Sequence, residues 1–388
     1  MTTVLLVAGD ASGELHAAAL VEELRRRRPD ARFLGLGGGA MDKAGVELVV
    51  HQRELAIGGL VEVLRDAGRV AGAWRRLGRA LEAARPELVV LVDSPDFCIP
   101  FARRARRAGA RVLYYVSPQV WAWRGYRVRK IARRVDRMAV IFPFEAAAYA
   151  GTGLRVEFVG HPLVDRLAPP ARDGGDRRAA RRRLGLDEEA RLVTLLPGSR
   201  RNELRGSLPL QLETARLVAA GDPRVRFALA LAPSLARADL DALLAREPAA
   251  AGLPLSVVEG ATYDAVRAAD AALVKPGTAT LEIALLGTPM VVAARAHPLT
   301  AAIARRVLRV PSLAMVNLIA GAPVVPEFVQ EAARPPRIAA ALRELLEGPA
   351  GPAQGRRLLA LRARLGGGGA ARRAGDIAEE MLRGAARA

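Results

Sequence analysis

The sequence has few of the residues that form disulfides, bind metals or anchor a chain in a bilayer. Of its 388 residues, one is cysteine and four are histidine. This excludes an internal disulfide and a multi-thiolate metal site, and no resident metal is expected. No run of 18 uncharged apolar residues occurs, so no membrane span is predicted. The N-terminal apolar run lacks a basic leader, and we interpret it as a strand rather than a signal peptide.

Lysine is also scarce, although the chain is strongly basic. The formal net charge is +19, and lysine occurs only at Lys43, Lys130 and Lys275. Such a charge favours anionic partners, including nucleotides and acidic membrane surfaces. No zinc finger or RNA-binding aromatic signature is present, so nucleic-acid binding is not expected.

Short apolar runs alternate with helical patterns along most of the chain. Continuous apolar strands between helices predict parallel sheets covered on both faces, and two such series predict an α/β fold with two Rossmann-like, doubly wound domains. Helices are predicted over 16–28, 60–84 and 125–135. The predicted strands are 3–9, 32–38, 87–94, 111–118, 137–142, 155–160, 191–199, 226–233, 255–260, 271–277 and 289–295.

A segment rich in proline, glycine and arginine separates the two series between residues 165 and 182. We therefore predict an N-terminal domain over 1–168, a C-terminal domain over 169–349 and C-terminal helices over 350–388, which could pack on the first domain or on a partner chain. In such folds a ligand cleft is expected at the carboxyl ends of the strands. The sequence leaves open whether the chain is a monomer or a homodimer.

The first predicted strand ends in an acidic glycine turn, "GDASGE", which contains Asp10, Ser12, Gly13 and Glu14. Glycine turns at this place usually bind phosphate, so two carboxylates there require another explanation. A second carboxylate pair, Asp93 and Asp96, follows the strand 87–94. Either member could act as a general base or cap the next helix, and the spacing does not decide between these roles.

The second domain has cationic and polar turns at the corresponding places. "LPGSRRNE" offers Gly198, Ser199 and Arg200 for a pyrophosphate, or forms a tight turn with solvated arginines. "PGTATLE" starts a helix that carries Glu282 in its second turn. This carboxylate could accept bonds from ribose hydroxyls or be a solvated surface acid.

Other features permit several interpretations. Trp121 and Trp123 could pack in the core or flank a sugar or acyl chain, and the basic helix after them could be solvated or contact an acidic membrane. The apolar segment 57–64 could face lipid or cover the sheet. His161 is expected to be a cleft or hinge residue. Cys98 lacks the histidine partner of a nucleophile.

Taken together, the motifs resemble those of the lipid-A-disaccharide synthase family over nearly the whole chain. In chain order they are "AGDASGE", "GLGGGAM", "GGLVEVL", "SPDF", "YVSPQVWAWR", "FPFE", "FVGHPL", "LPGSRRNE", "GTATLE" and "NLIAG" followed by "VPEFVQ".

The resemblance implies a B-type, inverting glycosyltransferase that needs no metal or other cofactor. It implies transfer from UDP-2,3-diacylglucosamine to 2,3-diacylglucosamine 1-phosphate (lipid X), with the enzyme peripheral on the cytoplasmic face of the anionic inner membrane. Asp96 would be the base for the acceptor 6-hydroxyl. The UDP-sugar would contact Gly198, Ser199, Arg200, Glu203, Gly277, Thr278, Thr280, Glu282 and Asn317. The acceptor side would include Asp10, Ser12, Gly13, Glu14, Gln119, Trp121 and His161.

Two departures from the family pattern concern single residues. The family turn usually reads Gly-Glu-X-Ser-Gly-Asp, whereas here Asp10 stands in the place of the glutamate and Glu14 in the place of the aspartate. In addition, Pro276 replaces a serine before Gly277. Two alternative functions remain open at this point, a UDP-N-acetylglucosamine epimerase and a non-catalytic protein that binds nucleotide sugars or lipids. A dehydrogenase is not favoured because the first turn lacks G-x-G-x-x-G.

Overall fold

The computed structural model describes residues 1–54, 60–171, 174–296, 301–302, 306–307 and 310–385. The chain divides into two compact units. The first contains Met1–Asp165 and Leu365–Ala388, and the second contains Arg166–Arg364. The division after Asp165 lies beside the boundary that the sequence places at residue 168.

The first unit is built on a parallel sheet with the order β3-β2-β1-β4-β5-β6-β7. Val4 to Ala8 of β1 pair in register with Leu88 to Val92 of β4, and both runs are completely buried. Helices on both faces explain why these strands are apolar throughout. The strands are β1 (Thr3–Ala8), β2 (Arg32–Gly37), β3 (Glu47–His51), β4 (Leu88–Val92), β5 (Arg111–Tyr115), β6 (Arg137–Val140) and β7 (Arg155–Phe158).

The helices of the first unit follow its strands and cover the sheet. They are α1 (Ala11–Arg27), α2 (Gly39–Lys43), α3 (Leu60–Ala84), α4 (Pro95–Arg107) and α5 (Arg127–Ala132). The last helix of the chain also belongs to this unit. The short helix α6 (Leu163–Arg166) contains the position at which the chain passes from the first unit to the second. The proposed lipid-facing segment 57–64 lies outside the described residues at 57–59, and the side chains of 60–64 are not described either.

The second unit repeats this plan with the sheet order β10-β9-β8-β11-β12-β13, again parallel. Its strands are β8 (Arg191–Leu196), β9 (Val225–Leu231), β10 (Leu255–Glu259), β11 (Ala271–Val274), β12 (Met290–Ala294) and β13 (Glu327–Val329). Its helices are α7 (Gly175–Arg183), α8 (Arg201–Gly221), α9 (Arg237–Leu244), α10 (Thr262–Ala268), α11 (Thr278–Leu285), α12 (Met315–Ala320), α13 (Pro335–Glu347) and α14 (Ala350–Arg364).

The two C-terminal helices belong to different units, although the sequence grouped them in one segment. Helix α14 packs on α11 and α13 in the second unit, whereas α15 (Ala370–Ala385) packs on α1 in the first. The glycines between them, Gly366 to Gly369, all have positive φ, a conformation that side chains other than glycine rarely adopt. This run turns the chain tightly, and Asp165 accepts the Gly369 and Ala370 amides at the start of α15.

In both sheets the strand order reverses next to the first strand of the unit. The reversal lies between β1 and β4 in the first unit and between β8 and β11 in the second. Ligands of parallel α/β sheets bind at the carboxyl ends of the strands beside such a switch point. Each unit thus has one favoured ligand edge. None of the helices that the structure describes is long and apolar enough to cross a bilayer.

Candidate active site

The acidic turn after β1 is held together by its own carboxylate. Asp10 is the N-cap of α1, and its Oδ1 accepts the Gly13 amide at 2.7 Å and the Ser12 hydroxyl at 2.8 Å. Its Oδ2 accepts the Ser94 hydroxyl at 2.9 Å. Asp10 therefore joins the turns that follow β1 and β4 at the switch point, and it uses a helix-end amide that a phosphate would otherwise bind.

Glu14 lies on the other side of this turn. Its Oε2 lies against Gly38, where a Cβ atom would come within 1.9 Å of it, and beside Gln52. This oxygen is buried and has no hydrogen-bond partner among the residues that the structure describes. Gly38 is thus required for the close approach of the Glu14 carboxylate.

Strained backbone is concentrated at the carboxyl edge of the first sheet. Six described non-glycine residues have positive φ, and four of them lie at this edge: Asp93, Ser94, Val116 and Arg124. Val116 is the least expected of these, because a β-branched side chain disfavours its φ of 65°. Such strain persists where the surrounding structure enforces it, and it occurs often at functional sites.

Asp96 begins α4 beside Pro95 and points into solvent. Its side chain is 77% exposed, and Oδ1 contacts the guanidinium groups of Arg127 and, at 3.4 Å, Arg124. Both arginines follow β5 in the chain, so the fold brings the "SPDF" and "WAWR" motifs together. An exposed carboxylate held by two cations can meet an incoming hydroxyl, and the arginines can stabilise nearby negative charge.

Asp93 is the less exposed carboxylate of the same loop. Burial, together with the nearby Asp10 carboxylate, raises the pKa of Asp93 to about 7. The Tyr114 hydroxyl donates to its backbone carbonyl at 2.6 Å. Cys98 lies below, fully buried, and burial raises the pKa of its thiol far above the ordinary value. Its inaccessibility agrees with the absence of a nucleophile pattern in the sequence.

The remaining residues predicted on the acceptor side have different environments. Trp121 Nε1 donates to the buried Glu145 carboxylate at 3.2 Å, and the indole packs edge-on against Phe144. His161 is 3% exposed, and burial lowers its pKa to about 3. Both side chains therefore support the local packing. Gln119 is exposed.

In the second unit the loop after β8 combines a strained glycine with positive charge. Gly198 has a φ of +127°, and a Cβ there would come within 2.7 Å of the Glu203 side chain. Glu203 accepts the Ser199 amide at 3.0 Å and lies 3.3 Å from Lys275 Nζ. The Arg200 side chain is 78% exposed, and its ion pair with Glu203 is long, at 3.8 Å. Its guanidinium can therefore bind an external anion.

The loop after β11 lies beside this one, because β8 and β11 are neighbours. Gly277 has a φ of +145°, and α11 starts after it without a side-chain cap, with Thr278 exposed. Thr280 is buried and donates to the Gly277 carbonyl at 2.8 Å, so its hydroxyl stabilises the turn. Uncapped helix amides next to glycine form a favourable environment for a phosphate.

Glu282 is a partly buried carboxylate rather than a solvated surface acid. Its Oε1 accepts the Tyr263 hydroxyl at 2.8 Å, and burial raises its pKa despite this bond and the nearby Arg166. Asn317 is buried, and its amide bonds the backbone of Val324 and Val325. That side chain therefore fixes the loop before β13, whereas the hydrogen bond given for the Glu282 carboxylate is to the Tyr263 side chain rather than to a loop.

Three contributors to this edge were not predicted from the sequence. Lys275 contacts Glu203, Tyr263 orients Glu282, and Gln211 Nε2 donates to the Leu196 and Leu273 carbonyls at 3.2 and 3.3 Å. Only Lys275 carried a signal, since lysine is rare in this arginine-rich chain. Within the described part of the chain, no group of three or more His, Cys, Asp or Glu residues is placed to hold a metal.

Comparison with known proteins decides the family. Residues 4–363 match the family model described as lipid-A-disaccharide synthetase. The chain belongs to the lipid-A-disaccharide synthase family. The lipid-A-disaccharide synthase of Geobacter metallireducens is 46% identical over 98% of this chain and 97% of its own length. That of Geobacter sulfurreducens is 44% identical with the same coverage.

Membership of the lipid-A-disaccharide synthase family confirms the resemblance that the motifs carry, and it makes the chain a glycosyltransferase of lipid A biosynthesis. Solved structures support the B-type fold. MurG of Acinetobacter baumannii matches with a TM-score of 0.58 at 15% identity, over 98% of this chain and all of that one. UDP-GlcNAc 2-epimerase of Neisseria meningitidis matches with a TM-score of 0.64 at 13% identity, with the same coverage.

The epimerase likeness concerns the fold alone at that identity, whereas the lipid-A-disaccharide synthase family is matched in sequence over nearly the whole chain. The comparisons therefore favour the transferase over the epimerase alternative.

Proposed function

We propose that the chain transfers the sugar of UDP-2,3-diacylglucosamine to the 6-hydroxyl of 2,3-diacylglucosamine 1-phosphate (lipid X). The products are the β-1,6-linked disaccharide phosphate and UDP, and the configuration inverts at the transferred carbon. The observation that supports this best is the contrast between the helix starts at the two switch points. Asp10 caps α1 with its carboxylate, whereas α8 and α11 have no side-chain cap and have Arg200 and Lys275 beside them.

The acceptor binds at the first unit in this proposal. Asp96 takes the proton of the acceptor 6-hydroxyl while the oxygen of that hydroxyl attacks the donor sugar carbon. General base catalysis of this kind accelerates a reaction roughly 10²–10⁴-fold. Arg124 and Arg127 hold the Asp96 carboxylate in position. Asp10 and Ser94 fix the loop from which Asp96 projects.

The donor binds at the second unit. Glu282, oriented by Tyr263, accepts bonds from the ribose hydroxyls. As the bond from the sugar carbon to the diphosphate breaks, the electron pair leaves with UDP. Arg200, Lys275 and the amide ends of α8 and α11 stabilise the developing charge.

The enzyme acts on the cytoplasmic face of the inner membrane in this proposal. Both substrates carry acyl chains, and the charge of +19 suits an anionic surface.

The test is UDP release with the two diacylated substrates, together with the mass of the product. Asp96→Asn is expected to lower kcat about 1,000-fold while UDP affinity stays unchanged, because the side chain is exposed and belongs to the other unit. Asp42→Asn, on the exposed face of α2, is the matched control and should retain full activity.

Two outcomes would contradict the proposal. Full turnover of Asp96→Asn with loss in Asp93→Asn would transfer the base role to Asp93. Epimerisation of unacylated UDP-N-acetylglucosamine without any transfer would refute the transferase function.

A further inference from the structure

An exposed stripe of aromatic and basic side chains lies beside Asp96. Trp123 and Tyr126 are 37% and 73% exposed, and they are the exposed large aromatic residues of the part of the chain that the structure describes. Arg129, Lys130 and Arg133 follow, and all three are exposed. We call these five residues the α5 stripe.

The spacing of the α5 stripe follows one face of a helix. Positions 129, 130 and 133 lie three, four and seven residues after position 126, and this spacing places all four on one face of a helix. The opposite face is apolar, and Ile131 and Val135 are buried in the core of the first unit. Helix α5 therefore lies flat on its unit with the stripe directed outward.

The charges of the stripe are uncompensated. Residues 121–135 contain six basic and no acidic residues. Among the residues that the structure describes, none forms an ion pair or hydrogen bond with the side chains of Arg129, Lys130 or Arg133, although the Arg133 backbone carbonyl accepts the Arg106 guanidinium at 2.9 Å. In contrast, Arg124 and Arg127 are engaged with Asp96.

We infer that the α5 stripe is a docking surface for an anionic lipid bilayer. Tryptophan and tyrosine favour the level of the lipid headgroups, and arginine and lysine beside them attract acidic phospholipids. Trp121 shows what distinguishes the stripe: its indole N–H bonds Glu145 and its ring packs on Phe144, whereas the Trp123 ring is contacted by the Arg124 guanidinium and is 37% exposed.

The position of the stripe gives the docking a purpose, and this part rests on the proposed function. Arg124 contacts both the Trp123 ring and the Asp96 carboxylate. A bilayer at the stripe lies next to the proposed base. The acylated acceptor sugar can therefore reach Asp96 while its acyl chains remain near the membrane. Nucleic acid also binds aromatic and basic surfaces, and it is tested below as the competing partner.

The experiment measures co-sedimentation of the full-length chain with phosphatidylcholine vesicles that contain neither substrate, with and without 30% phosphatidylglycerol. The charge variant is Arg129→Gln/Lys130→Gln/Arg133→Gln, and the aromatic variant is Trp123→Ala/Tyr126→Ala. The control removes three exposed arginines of the second unit that have no ion-pair partner in the described part of the chain, Arg216→Gln/Arg337→Gln/Arg356→Gln, and so has the same net charge as the charge variant.

Each basic residue near an anionic surface changes partitioning about five-fold, so the charge variant should bind anionic vesicles about 100-fold more weakly than wild type. The aromatic variant should bind about 10-fold more weakly. The control should change little, and 1 M salt should weaken the wild type because it shortens the screening length. Thermal unfolding should match wild type for all variants.

Equal losses in the charge variant and the control would overturn the inference, because binding would then follow net charge alone. If the charge and aromatic variants lost binding to a single-stranded oligonucleotide but bound vesicles as wild type does, the stripe would be assigned to nucleic acid instead. A parallel assay with short-chain, water-soluble substrates separates the two proposals. Absence of UDP release in wild type refutes the proposed function, whereas loss of release in the stripe variants alone assigns the stripe to the acceptor sugar.

Discussion

The two units use the same backbone plan to present opposite charges. In each, a parallel sheet reverses its order, and a glycine-containing turn starts a long helix at the reversal. In the first unit Asp10 caps the helix with its own carboxylate. In the second, α8 has no side-chain cap and Arg200 stands at its start.

This difference explains why an acidic glycine turn is present at all. Capping by Asp10 uses the helix-end amide and adds negative charge, so the start of α1 repels phosphate and suits hydroxyl groups. The uncapped second edge attracts phosphate. A few side chains on one scaffold therefore give the starts of α1 and α8 opposite preferences for charge.

Arg200→Ala should have the largest effect on this contrast. Removing this exposed cation, whose ion pair with Glu203 is long at 3.8 Å, is expected to lower kcat by about 10²–10³, since the leaving diphosphate loses a donor that acts in the transition state. Steady-state kinetics of UDP release measures the change. Arg201→Ala is the control, because Arg201 is paired with Asp239 at 2.9 Å, and similar losses in both variants would contradict a specific role for Arg200.

Alanine at the turn glycines should separate the two units by stability. Gly198→Ala is expected to lower the free energy of unfolding by about 2–3 kcal/mol, because φ is +127° and the new Cβ would meet Glu203 at 2.7 Å. Gly13→Ala should be neutral or slightly stabilising, since its nearest neighbour would be 3.4 Å away. Urea unfolding measures both, and equal costs would mean that the two turns have the same constraints.

The pair Glu282 and Tyr263 tests whether the second edge binds ribose. Glu282→Gln and Tyr263→Phe should each raise the Kd for UDP about 10-fold, the usual effect of losing one hydrogen bond to a charged group. Because the two side chains bond each other at 2.8 Å, the double variant should be little worse than Glu282→Gln. Calorimetric titration measures the affinities, with Glu213→Gln on the exposed face of α8 as the control. Additive losses would show that the residues act independently.

The smallest effect concerns Asp93 and the pH dependence of stability. Its pKa is raised to about 7, so the folded state favours the protonated acid, and wild type loses this contribution as the pH rises through 7. The advantage of Asp93→Asn over wild type should therefore grow by about 1 kcal/mol between pH 6 and pH 7. Urea unfolding at both pH values measures it, and the exposed Asp30→Asn serves as the control. A constant difference would mean that Asp93 titrates normally.

The predicted strands were correct where the apolar runs were continuous. Two edge strands were missed, Glu47–His51 and Glu327–Val329, because they are short and only partly buried, so no long apolar run marks them. The prediction for α1 started at His16, but the helix begins at Ala11 because Asp10 caps it. A cap can be read from sequence only when its turn is recognised as one.

The candidate residues followed the strands as predicted, yet their individual roles remain proposals. Glu203, Thr280 and Asn317 bond local backbone and fix loops. Sequence could not reveal this, since a polar residue in a motif has the same letter whether it faces a ligand or the loop itself.

The sequence by itself determined the alternation of strands and helices, the two-unit α/β class, the family and the placement of chemical groups after strands. These depend on local patterns of apolar and polar residues, which the chain carries wherever it folds. Only the tertiary structure decided which groups meet. Asp10 bonds Ser94, 84 positions away, because the sheet places β1 beside β4. The shifted pKa of Asp93 likewise arises from packing by distant segments, because desolvation depends on what surrounds a carboxylate.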